Sequence, residues 1–325
     1  MAYQVELVPT GIKFFSEEKE SLLHAALRSG LNVDHGCTNG ACGRCKARLL
    51  EGELSKIRHH DFVISEVDKL DGDILMCCHS ACSKLKLVAS LATGGSDIQS
   101  QEITTRIRRI EHVDANTMRL HLRTPRSSIL RFMAGQHAIL SLGANLQREL
   151  PIASCPCDGL NLEFHLHRDS SDIFTRSIYQ RARKSMPVKV TAPCNGVVLE
   201  ENDPSDILFI AWGVGFAPVQ SLIEHCLSLD IQQRIVFHWV VHEHESHYAD
   251  SYCRSTSDAI DNFYYHPIKT ATAAEAINKI VTWHEDLSQW RSYIFAPPAI
   301  VENAIEVLCK KGLDEGKIKS DPIVA

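Results

Sequence analysis

Cys37, Cys42 and Cys45 stand with four and then two residues between them, and Cys77, preceded by Leu75 and Met76, follows after another 31 residues. A tight triplet of thiolates with one distant fourth is the ligand spacing of a plant-type [2Fe–2S] cluster. Gly36, Gly40 and Gly43 lie among the triplet, so the loop can bend back with φ > 0 and aim amide N–H groups at sulfur. Zinc also takes four thiolates, but structural zinc is usually held by two short cysteine pairs; an incidental gathering of free cysteines is the other alternative. Cys78 and Cys82 follow close behind Cys77. If this segment is extended, alternation places Cys77 on the side of Leu75 and Cys78 on the other, so only one of these adjacent thiols can face the iron, and Cys82 is expected to stand apart.

The rest of the chain has to position that loop. Its 325 residues exceed what one hydrophobic core usually supports, so two or three domains are expected. A net charge of −6 gives no reason to expect nucleic acid, and the run Arg106, Arg108, Arg109 reads as a solvated strand face. The first residues show no basic segment followed by an apolar one, and no apolar run approaches the length of a membrane span. The expectation is a cytoplasmic protein whose non-ligand cysteines stay reduced.

The chain opens with an alternating run, Tyr3 to Val8, and a second through Phe15, which read as a hairpin. Leu22, Leu23, Ala26 and Leu27 then share a helical face, with Ser16 as a candidate cap and Gly30 as the stop. Strands are expected at 46–50 and 84–88. With the cysteine loop between them, residues 1–92 resemble a plant-type ferredoxin domain, a β-grasp fold, in which the fourth thiolate follows a Leu-x pair such as Leu75 Met76. Residues 93–101 are small and polar, the composition of a linker.

From 102 to 203 short alternating strands predict an antiparallel barrel. Phe132 to Gln136 followed by Arg148 Glu149 Leu150 Pro151 Ile152 resembles the Phe-x-x-Gly-Gln and Arg-x-Tyr-Ser segments of the flavin barrel in the ferredoxin-reductase superfamily. The resemblance implies that Arg148 holds a flavin phosphate, that Leu150 and Pro151 stand where a ring-stacking Tyr and an N5-bonding Ser would be, and that Thr175, after Phe174, opens a phosphate-facing helix. Pro151 has neither hydroxyl nor N–H to offer N5. A helix cap is the alternative role for Thr175.

Residues 204–325 change pattern. The apolar run Ile207 to Ala211, then Gly213 Val214 Gly215 Phe216 Ala217 Pro218, then a helix with Val219, Leu222, Ile223 and Cys226 on one face, make a βα unit. Runs at 235–241 and 293–295, with helices between and after them, predict a doubly wound parallel sheet with ligands at its strand ends. The glycine turn resembles the Gly-Gly-Thr-Gly-x-Ala-Pro signature of an NAD(P)H lobe with Val214 at the Thr position, and Phe295 Ala296 Pro297 Pro298 resembles its Cys-Gly-Pro-Pro. Glu243 and Glu245 stand where the family often has an Arg for the 2′-phosphate, which favours NADH. The histidines among them could also be read as a metal site, though solvated loop histidines are far commoner.

The order of segments resembles the reductase components of bacterial multicomponent oxygenases. That resemblance implies electron transfer from NADH through FAD to the [2Fe–2S] cluster, and on to a redox partner such as an oxygenase or ferredoxin-type component, with no nucleic acid or membrane partner. The rival expectation is a cluster-only electron carrier or interaction subunit, because the departures fall at Leu150, Pro151, Val214 and Phe295, where the reacting rings would lie.

Overall fold

A computed structural model of the chain describes residues 2–35, 38–40, 43–59, 64–91, 98, 100–125, 128–143 and 145–323. The cluster-loop residues Gly36, Cys37 and Cys42, and most of the expected linker 93–101, lie outside the described residues.

The first unit holds β1 (Ala2–Val8), β2 (Ile12–Glu17), α1 (Leu22–Arg28), β3 (Lys46–Glu51), β4 (Leu54–Lys56), α2 (Glu66–Leu70), β5 (Asp73–Leu75), β6 (His79–Ala81) and β7 (Leu85–Ala89). Five strands form a mixed sheet in the order β2-β1-β7-β3-β5, with β1 and β7 parallel. Val5, Leu7, Phe14 and Leu87 share one core with Leu22, Leu23 and Ala26 of α1, the β-grasp arrangement. The helix is capped by Ser21, whose hydroxyl accepts from the His24 amide, and not by Ser16. Ser16 is a buried residue of β2, and Lys19, at φ 68°, turns the chain before the helix can start.

The second unit holds β8 (Gln101–His112), β9 (Thr117–Arg123), β10 (His137–Ser141), β11 (Gln147–Pro151), β12 (Asn161–His167), α3 (Ile173–Arg181) and β13 (Pro187–Ala192). Its antiparallel sheet runs β11-β10-β13-β8-β9-β12, and the two edge strands approach one another, so the sheet nearly closes into a barrel. A register shift between Ile107 and Arg109 leaves Arg108 and Arg109 both exposed.

The third unit holds β14 (Asp206–Trp212), α4 (Phe216–Ser228), β15 (Ile235–His242), α5 (Asp250–Ala259), β16 (Phe263–Thr270), α6 (Ala273–Thr282), β17 (Trp290–Ala296), α7 (Pro298–Lys310) and β18 (Ile318–Pro322). The sheet is parallel, in the order β16-β15-β14-β17-β18, with a separate apolar core on each face. Both faces of β14 are covered, which is why its sequence is continuously apolar. Among the described residues no helix is long and apolar enough to cross a membrane.

Specific bonds join the units. Tyr248 OH lies 2.8 Å from His165 Nδ1, Ser221 Oγ donates to the Ser154 carbonyl at 2.8 Å, and the Cys155 amide donates to Glu224 at 3.1 Å, all between barrel and parallel sheet. The first unit meets the barrel through an ion pair of Asp34 with Arg131. It meets the end of α4 at Gly30, where a Cβ would come within 2.6 Å of Leu229.

Candidate electron-transfer site

Cys45 and Cys77 are both buried and their thiols are in contact. The Cys45 thiol, then the Cys78 thiol and the Gly40 N–H, draw the Cys77 pKa below the ordinary thiol value against the effect of burial. Gly40 and Gly43 have φ of 83° and 74°, as expected for a loop that turns its amides towards sulfur. Two buried thiols with an amide aimed at one of them suit a metal–sulfur group. The segment after Leu75 is not extended, however. Met76–Cys78 form one turn of 3₁₀ helix, so alternation does not separate the adjacent thiols, and Cys78 is as buried as Cys77, with its Sγ 3.6 Å away. Cys82 is exposed.

Arg58 was not legible as a functional residue. Its guanidinium donates to the carbonyls of Thr38 and Cys77, at 3.0 Å for Cys77, and so ties the cysteine loop to the segment of the fourth thiol. Its charge also favours the Cys77 thiolate.

Between barrel and parallel sheet lies a cavity of about 520 Å³, within the range of cofactor sites. Arg148 and Thr175, far apart in sequence, meet there, with Arg148 Nη1 2.6 Å from Thr175 Oγ1. The same Arg148 nitrogen donates to Asp172 Oδ2 at 2.7 Å, and Asp172 caps α3 by accepting from the Phe174 and Thr175 amides. A guanidinium, a hydroxyl and helix-terminal amides thus converge on one oxyanion, here the protein's own carboxylate, and this donor set suits a phosphate.

Pro151 and Leu150 both line this cavity, but Leu150 is also part of the barrel core, where it is 7% exposed. Ile152 is wholly buried. Opposite Pro151 in the sheet is His137, whose Nδ1 lies 3.0 Å from Glu149 and whose Nε2 lies 2.6 Å from Asp321 of β18. Burial opposes its positive charge, yet the Asp321 and Glu149 carboxylates outweigh burial and hold the His137 pKa above its usual value.

A second cavity, of about 310 Å³, opens at the carboxyl ends of β14 and β15, where ligands of parallel sheets bind. Val214 and His167 line both cavities, so the two adjoin. Gly213 makes the turn with φ 54°. Gly215 has another reason to be glycine, since a Cβ there would lie 2.3 Å from the Phe295 carbonyl. Phe295 itself is fully buried among Phe209 and Tyr293 and lines neither of these two cavities. Pro218 lies in the first turn of α4, while Pro297 and Pro298 start α7; these prolines shape the strand ends rather than the cavity walls.

His244, Glu245 and Lys269 line the smaller cavity. The His247 ring bonds the Trp239 carbonyl at 2.8 Å, and among the described residues no group of three or more His, Cys, Asp or Glu is arranged to hold a metal ion. The wall between the cavities contains a buried chain that the sequence did not reveal. Tyr248 OH meets His165 Nδ1, His165 Nε2 meets Glu163 at 2.8 Å, and Arg119 donates to Glu163 at 2.6 Å. Burial raises the Tyr248 pKa well above its usual value and lowers that of His165. Glu163 is pushed up by burial but brought down to about 2 by His165 and Arg119.

Residues 5–82 match the family described as 2Fe-2S iron-sulfur cluster binding domain. Along its whole length the chain is 28% identical to the CDP-6-deoxy-L-threo-D-glycero-4-hexulose-3-dehydrase reductase of Yersinia pseudotuberculosis, covering 100% of this chain and 99% of that protein. It is 24% identical to the reductase component of propane 2-monooxygenase from Gordonia sp., covering 93% of this chain and 92% of that one. The crystal structure of the Amycolatopsis cytochrome P450 reductase GcoB has the same fold, with a TM-score of 0.63, 19% identity and 98% of both chains covered. The N-terminal unit thus matches an iron–sulfur cluster binding family, and the whole chain, with its antiparallel barrel and parallel sheet, has the fold of GcoB and is similar along its length to proteins named as reductases.

Proposed function

We propose that the protein is an NADH-dependent iron–sulfur flavoprotein reductase that delivers single electrons to a separate redox protein. The observation that carries this reading is the adjoining of the two cavities at Val214 and His167, on a chain whose first unit matches an iron–sulfur domain. The division proposed is 1–92 for the ferredoxin domain, 93–101 for a linker, 102–203 for the flavin barrel and 204–325 for the nucleotide domain, in a cytoplasmic protein.

In this reading Cys37, Cys42, Cys45 and Cys77 hold the cluster. Arg148 and Thr175 bind the flavin phosphate, while Leu150, Pro151 and His137 border the ring. Gly213 and Val214 bring the nucleotide against that ring, and the Tyr248–His165 bond fixes the two cavities relative to one another. Bound FAD would supply the conversion of a hydride into single electrons, which the side chains themselves cannot perform. The acceptor proposed is an oxygenase component or another iron protein, since relatives are named as reductase components of propane 2-monooxygenase and phenol 2-monooxygenase. The Yersinia relative is named as the reductase of a sugar dehydrase, which makes such a dehydrase the second acceptor to assay.

The cluster-only reading retains one specific support, the proline in place of the N5-bonding hydroxyl. One experiment separates the two. Under anaerobic conditions, protein loaded with FAD is mixed with NADH. Bleaching of both flavin and cluster absorption is expected, whereas a cluster that stays oxidised with FAD present would favour the electron carrier.

A further inference from the structure

The oxyanion position beside Arg148 is filled by a residue that the reductase reading does not use. Asp172 Oδ2 accepts from Arg148 Nη1 and from the Thr175 amide, both at 2.7 Å, and its Oδ1 accepts more weakly from the Phe174 amide at 3.4 Å. The Thr175 hydroxyl also bonds this carboxylate. The guanidinium, the hydroxyl and both amides therefore all face Asp172. Asp169, a second carboxylate, lines the same cavity close enough to Arg148 to feel its charge. One guanidinium is thus set against two carboxylates, so an incoming phosphate meets a neighbourhood already negative and donors already engaged.

We propose that Asp172 is an internal competitor for the flavin phosphate, and that it sets how tightly this protein holds FAD or FMN. The phosphate enters by displacing the carboxylate from Arg148 and the α3 amides, so part of its binding energy is spent on breaking those bonds. The protein therefore takes up and releases flavin nucleotide readily, and it discriminates less between phosphorylated flavins and riboflavin than a site with a free Arg148 would. This inference rests on the flavin reading of the cavity. It also separates two roles of Asp172, because capping α3 needs only a side-chain oxygen, which Asn or Ser provides equally well, whereas competition with phosphate needs the negative charge.

The test uses the full chain with its cluster loaded and measures the dissociation constants of FAD, FMN and riboflavin by quenching of flavin fluorescence. Asp172→Asn is expected to tighten FAD and FMN about tenfold, as expected for removing one charge from beside an anion in a half-exposed site, and to leave riboflavin unchanged. Arg148→Ala should move FAD and FMN the other way, again without affecting riboflavin. Equal affinities in parent and Asp172→Asn would overturn the proposal, leaving Asp172 as a helix cap only. Tightening of riboflavin along with the nucleotides would also overturn it, since the effect would then not act on the phosphate. If neither parent nor variant binds any of the three flavins, the flavin reading itself falls and the proposal with it. Asp172→Ser, a second capping residue without charge, supplies the same measurement should the Asn variant fold poorly.

Discussion

Asp34, which lies three positions before Cys37, forms an ion pair with Arg131 of the barrel, and Arg44, directly before Cys45, lies 3.1 Å from the same carboxylate. Arg131 is only 5% exposed, so this charge is buried in the seam between the first unit and the barrel. The Asp34 carboxylate is half-exposed, so the pair adds little net stability, but the buried guanidinium is costly to leave without its partner, which constrains the geometry of the seam. Asp34 thus links the two arms of the cysteine loop to each other and carries that link to Arg131 of the barrel. Arg131→Met is expected to leave the rate of flavin reduction by NADH unchanged and to slow the subsequent reduction of the cluster, roughly tenfold by loss of fixed orientation. Rapid-mixing spectroscopy resolves the two phases; equal slowing of both would assign Arg131 a general structural role.

The fourth cluster ligand is expected to be Cys77. Cys77→Ser should abolish or strongly perturb the visible and EPR signals, and Cys78→Ser should retain them. The 3.6 Å separation of the two sulfurs makes this a sharper test than the sequence allowed. A cluster lost on changing Cys78 and kept on changing Cys77 would shift the ligand by one residue.

For the nicotinamide substrate, steady-state assays should give a higher kcat/KM with NADH than with NADPH. Glu245 lines the nucleotide cavity and its carboxylate accepts from the His242 amide at 3.2 Å, so a negative charge stays near the strand end. Lys269 lines the same cavity as a cation that could meet an extra phosphate. Preference for NADPH, lost in Lys269→Ala, would reverse the assignment.

Glu163 gives a prediction for acid stability. Its pKa falls from 4.5 to about 2 in the folded chain, so its contribution is fully present above the unfolded value and is lost as pH falls from roughly 5 towards 2. The loss is on the order of 2–3 kcal/mol for a shift of this size. His165, whose pKa is lowered by burial, acts in the same direction, since the unfolded chain takes up its proton first. Denaturant unfolding across this range should show a shallower acid limb in Glu163→Gln than in the parent. Parallel limbs would mean that Glu163 does not carry the effect.

The elements with strong local signals were legible. β14 is apolar throughout because both its faces are covered, and the run from Gly213 to Pro218 has the form of a strand-to-helix turn. What escaped depends on the partner rather than on the residue. The edge strand β16 carries Pro267, which weakens its strand pattern, and it can do so because an edge strand has one side without ladder bonds. The cap at Ser21 was missed because the chain turns at Lys19, and the burial of Cys78 because a short 3₁₀ turn replaces the extended segment. Arg131, Asp172, His137 and Tyr248 are ordinary residues in sequence. Their roles come from Asp34, Arg148, Asp321 and His165, each brought from a distant part of the chain.

The bonds between barrel and parallel sheet, among them those of Tyr248, Ser221, Glu224 and Asp321, have a practical consequence for dissecting the molecule. Both cavities belong to one welded piece, whereas the iron–sulfur unit is attached through the Asp34–Arg131 ion pair and the packing of Gly30 on the end of α4. Cut after residue 91, the chain should yield a C-terminal fragment that still passes electrons from NADH to a soluble dye but no longer to a protein acceptor. The first unit could then be exchanged for another of its kind, provided the newcomer carries a carboxylate to meet Arg131.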